Sequence, residues 1–180
     1  MKTITAKFRD RGGFSLAEVM LAVLLLVLLT AIITTGMPAA KTAYDKVVDA
    51  SNAEVLLSTT VTELENEFTC SPEAVLASDN KTVVRFVGAS GLWESLSNAD
   101  GGITLTLYGG ADGTGSTLTE SRLLVSAKAA TEPLHTTLGS VTYEDGVFIV
   151  HDLTVIKDGR AVASRDSYKI RAANDVKIVS

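Results

Sequence analysis

The sequence has one cysteine, Cys70, in 180 residues. That excludes an intramolecular disulfide and any zinc site built from several thiolates. A lone thiol of this kind is expected to be partly buried. Histidine is nearly as scarce: His135 and His151 are the whole imidazole supply, and no H-E-x-x-H occurs. The pair His151-Asp152 invites a metal or triad reading. Adjacent residues of a strand point to opposite faces, however, so a hydrogen-bonded or solvent-facing histidine is the expectation. There is no G-x-x-x-x-G-K-[ST] loop; "GADGTGS" has the glycines but lacks the following lysine and helix. Asp112 and Glu120 lack the ordered ligand spacing of a calcium loop. Trp93 and Tyr108 read as core packing. The paired acids Glu144-Asp145 sit at a turn, where exposure explains them. No enzyme is expected, and no cofactor or metal ligand.

Charge is also lopsided. Residues 1–13 carry Lys2, Lys7, Arg9 and Arg11 against Asp10, a net +3, which leaves −8 for the remainder of a chain whose formal charge is −5. A basic leader before an acidic body predicts that the amino terminus stays in the cytoplasm and the rest is exported. The acidic body has no general attraction for phosphate backbones.

What is abundant is apolar sequence. From Val19 to Ile33 only Thr30 interrupts it, and with Phe14–Ala17 before and Thr34–Met37 after, the run can cross about 30 Å of hydrocarbon. A secretory signal peptide would have a shorter core of about 7–15 residues ending at an A-x-A-like site. Here the run is longer, and "MPAA" is a weak cleavage candidate. A plain signal anchor fits the length but leaves Glu18 unexplained. An acid in a membrane segment costs about 2.5–3.5 kcal/mol at the centre, less near an interface, and is by default functional.

The stretch "GGFSLAEVMLAVLLL" resembles the amino terminus of type IV pilins and of the pseudopilins of type II secretion systems. Gly13 matches the last leader residue, Phe14 the first mature residue, and Glu18 falls fifth in the mature chain. The resemblance covers about Lys7 to Gly36. It implies cleavage between Gly13 and Phe14 by a prepilin peptidase and N-methylation of the Phe14 amine. It also implies that Glu18 serves assembly by pairing with a neighbouring subunit's terminal amine. The partners implied are prepilin peptidase, other pilin or pseudopilin subunits, membrane lipid before assembly, and the filament assembly machinery. The expected location is a single pass of the cytoplasmic membrane with the head exported, then a cell-surface filament. Many major pilins interrupt the helix early with Gly and Pro; here "GMP" (Gly36–Pro38) comes later, and a bend or loosening is expected there. The lack of a second cysteine also removes the disulfide-bounded loop of many Gram-negative pilins.

The expected fold class is α+β, a long N-terminal α-helix packed on an antiparallel β-sheet head. Four segments follow: a leader over 1–13, a membrane and assembly half over 14–37, an amphipathic half over 38–69, and a β-rich head over 70–180. In the second half Ala43, Val47, Ala50, Glu54, Leu57, Val61, Leu64 and Phe68 step by four and three, an apolar stripe broken only by Glu54. Asp45, Asp49, Asn52, Thr59, Glu63 and Asn66 lie opposite. If unbroken, Phe14–Phe68 makes a helix of roughly 80 Å. Ser71 before Pro72 is the stop signal. Beyond it, 81–88, 102–110 and 122–129 read as strands and 111–121 as a loop or hairpin tip. Asp145-Gly146 and Asp158-Gly159 predict two consecutive hairpins, a meander whose apolar face covers the helix.

Two functional classes follow: a structural subunit of a type IV pilus or related type II secretion-like filament, or a signal-anchored exported binding protein for adhesion, DNA or cargo that never enters a filament.

Overall fold

A computed structural model of the chain describes residues 15–99, 101–109, 117–125 and 134–179. The leader, Gly13, Phe14, Asp112, the glycine-rich 110–116 and the 126–129 part of one expected strand lie outside them.

Among the described residues one helix precedes ten strands. The elements are α1 (Leu16–Thr69), β1 (Glu73–Leu76), β2 (Val83–Val87), β3 (Trp93–Ala99), β4 (Gly102–Gly109), β5 (Thr117–Leu123), β6 (His135–Thr137), β7 (Ser140–Glu144), β8 (Val147–Lys157), β9 (Arg160–Arg171) and β10 (Lys177–Val179). The fold is α+β. The chain divides into two compact units, Met1–Lys46 and Val47–Ser180. The carboxyl-terminal turns of α1 belong to the second.

In that second unit the strands form two sheets where one was expected. The first runs β10-β1-β2-β3-β4-β5, antiparallel except for the parallel β1–β10 pair. The second is built on β8, with β6 and β7 along one edge and β9 on the other. The two expected hairpins are present. Asp145 (φ 49°) with Gly146 (φ 80°) joins β7 to β8, and Asp158 (φ 50°) with Gly159 (φ 73°) joins β8 to β9. Positive φ at both central positions is what a two-residue hairpin with native twist requires. Asn98 links the sheets: its side-chain amide donates to the Leu138 carbonyl at 2.7 Å and accepts from the Leu138 N–H at 3.0 Å, which satisfies a backbone pair that has left the ladder.

A single hydrophobic cluster joins the helix end to both sheets. At its centre is Phe68, wholly buried, with ring centroids 4.5 Å from Phe86 of β2 and 4.6 Å from Phe148 of β8. The stripe expected on α1 is only half right. Leu57, Val61, Leu64 and Phe68 are buried, joined by Ala53, Leu56, Thr60 and Glu67. Ala43, Val47, Ala50 and Glu54 are exposed. Cys70 is exposed rather than partly buried: it follows the last helical residue, and its neighbours Phe68 and Ser71 take the inward positions. The loop expected over 111–121 is shorter at its far end, since β5 begins at Thr117 and pairs with β4.

Candidate assembly segment and head contacts

Ser15 caps α1. Its backbone carbonyl and hydroxyl accept from the Glu18 N–H, at 2.9 and 3.3 Å. This places Glu18 in the first helical turn, exposed. A carboxylate here faces the positive end of the helix dipole, and the Ser-x-x-Glu spacing is that of a capping box.

From Leu16 to Ile33 the large side chains have no cover among the described residues: Leu16 is 80% exposed, Met20 67% and Ile32 69%. An 18-residue window in α1 has mean hydropathy 2.8 and none of it is buried. The helix therefore contains a segment long and apolar enough to cross a membrane. Hydroxyls within it bond back to the preceding turn: Thr30 to Leu26, Thr34 to Thr30, and Thr35 to Ala31. Such bonds satisfy the hydroxyl without a partner chain. Pro38 lies inside the helix, which continues through Gly36–Pro38. Its missing N–H leaves the Thr34 carbonyl without its usual donor.

Of the residues singled out in the sequence, Glu18 alone falls in the described part of the motif; Gly13 and Phe14 do not. The head residues weighed for chemistry are placed as follows. His151 Nε2 is 2.9 Å from the Thr142 hydroxyl across the β7–β8 pair. Asp152 adopts φ 53° and is exposed. Trp93 is buried in β3, and Tyr108 carries the Arg85 guanidinium 4.6 Å over its ring while its hydroxyl meets Ser95 at 3.1 Å. Among the described residues no group of three or more His, Cys, Asp or Glu side chains is arranged to hold a metal.

Polar side chains tie the helix end to the strands. Tyr168 of β9 donates to Glu65 at 2.5 Å, and that carboxylate holds the phenol above its ordinary range. Lys157 of β8 pairs with Asp49 at 2.6 Å. Sequence reasoning missed Glu67 and Glu94, the two buried acids among the described residues, because glutamate reads as a solvated side chain. The turn residues "GASGL" between two strands were the available signal that something approaches the backbone closely.

No protein-family model matches the chain, and comparison with curated proteins and with solved structures finds no match.

Proposed function

We propose that this chain is a pilin-like subunit of a type IV pilus or related type II secretion-like filament. Prepilin peptidase cuts between Gly13 and Phe14, the Phe14 amine is methylated, and the apolar helix holds the chain in the cytoplasmic membrane until assembly. The observation that carries the reading is Glu18, exposed in the first turn of a helix whose large apolar side chains from Leu16 to Ile33 are exposed. A carboxylate there is costly in lipid, and a cationic amine at matched depth on a neighbouring subunit offsets that cost and fixes axial register. The long amino-terminal helix followed by a β-rich head is the layout such a subunit needs.

The test is the intact mass and first residue of the native protein, taken from membranes and from sheared surface filaments. The expected result is a chain starting at methylated Phe14 and present in the filaments. An uncleaved Met1 chain in cells with active prepilin peptidase refutes the reading. Correct processing without filament incorporation leaves the anchored binding protein as the better description. Glu18→Ala should leave processing intact and lower incorporation at least about tenfold, since an interaction of a few kcal/mol is removed.

A further inference from the structure

The carboxyl-terminal turn of α1 and the β2–β3 turn meet at two acids. Glu94, on β3 between Phe86 and Leu107, is fully buried, and its Oε2 has no hydrogen-bond partner. Its Oε1 accepts from the Ser90 hydroxyl at 2.6 Å. Glu67, on the last turns of α1 and 6% exposed, accepts from the Ala89 N–H at 2.8 Å and meets Arg122 of β5 at 3.4 Å. Between the two acids lies Gly88. A Cβ placed there would sit 2.2 Å from Glu94 Oε2 and 2.7 Å from Glu67 Oε2, so the glycine lets both carboxyl groups close on the backbone. The exposed turn Ala89–Leu92 covers them.

Two buried carboxylates that both close on Gly88 repel, and one ionised oxygen without a donor is costly to desolvate. A proton on Glu94 removes both penalties, because a neutral carboxyl becomes a donor and Glu67 is the acceptor beside it. We infer that Glu94 and Glu67 share one proton, and that this pair is a latch holding the end of α1 on the β2–β3 turn that weakens when the proton leaves. The charged groups acting on Glu94 are Glu67 from the helix and Arg122 from β5. Burial is the largest influence and pushes the Glu94 carboxyl up, and the Glu67 charge and its hydrogen bond add to that. The Ser90 hydroxyl and Arg122 pull down and do not cancel the rise. A raised carboxyl pKa in the fold makes this stabilisation complete below the unfolded value of about 4.5 and lost as pH rises through the folded value.

The experiment is guanidinium unfolding of the full chain in detergent micelles, read by Trp93 fluorescence across pH 4–9, for wild type and Glu94→Gln. An amide donates to Glu67 as the protonated acid does, yet cannot titrate. In the window between the unfolded and folded pKa of Glu94 the wild-type folding constant should fall about tenfold per pH unit relative to the variant. A side-chain carbon-13 NMR titration of the wild type gives the same window without any variant, so a folding failure of Glu94→Gln does not leave the matter open. Glu67→Gln should move that window toward the ordinary carboxyl range. Equal pH slopes for wild type and Glu94→Gln, or a Glu94 titration in the ordinary range, overturn the latch.

Discussion

Replacing Phe68 by alanine tests whether the head's stability rests on the end of α1. The ring is fully buried and contacts one aromatic from each sheet, at 4.5 and 4.6 Å. Truncating a buried phenylalanine costs about 3–5 kcal/mol, and the two ring pairs contribute about 0.5–1.5 kcal/mol each within that. A domain has about 5–15 kcal/mol in total, so the variant should lose about a fifth or more of it. At roughly 2–8 °C per kcal/mol the melting temperature falls by about 6 °C or more. Trp93 is the one tryptophan and is 4% exposed, which makes its fluorescence a direct report on the head. The control is Val47→Ala on the same helix. That side chain is 68% exposed, and the change should stay within about 0.5 kcal/mol. A loss below about 1 kcal/mol for Phe68→Ala, or equal losses for the two variants, refutes the placement of the core at the helix end.

Asp79 accepts from the Lys81 and Thr82 N–H groups at 2.9 and 2.8 Å and from the Thr82 hydroxyl, which lowers its pKa from 3.8 to about 2. A lowered carboxyl pKa stabilises above the unfolded value, and that stabilisation is lost as pH falls toward 2. Asp79→Asn should therefore flatten the acid limb of the stability profile between about pH 4 and 2, measured by fluorescence. Gly146 has φ 80° and open space where a Cβ would stand, so Gly146→Ala should lower stability by about 1–2 kcal/mol through the backbone alone, measured as a shift in denaturation midpoint.

The parts of the fold written in local pattern were legible. Asp-Gly pairs between alternating apolar runs gave both hairpins, and Ser71-Pro72 marked the end of the helix. Strand β3, "WESLSNA", has too few alternating apolar residues to announce itself, and its burial comes from neighbours on both sides. Strand β10 is three residues long and pairs in parallel with β1 at Glu73↔Lys177, a contact across most of the head that no local period encodes. The link between the two sheets, Asn98 meeting Leu138, is equally non-local. The apolar stripe on α1 continues in sequence above Ala53, but period alone does not say where the sheets stop covering it. At the amino-terminal end the long apolar run that follows Glu18 was legible; at the other end Glu67 and Glu94 were not, since sequence gives no sign that a glutamate is paired with another.

The two ends of α1 treat their acids in opposite ways, and electrostatics explains why. Glu18 lies where unpaired N–H groups and the positive dipole end favour a negative charge. Glu65 and Glu67 lie at the other end, where free carbonyls disfavour negative charge, and the last turn of α1 contains no basic residue. The head supplies what the helix lacks: the Tyr168 hydroxyl for Glu65, and the Ala89 N–H and Arg122 for Glu67. Arg122 is half exposed and screened, so it contributes weakly. A second full charge on Glu94 would add repulsion at the end of the helix least able to bear it. Burial first, and then the neighbouring Glu67 charge, make a neutral Glu94 the stable partner of Glu67.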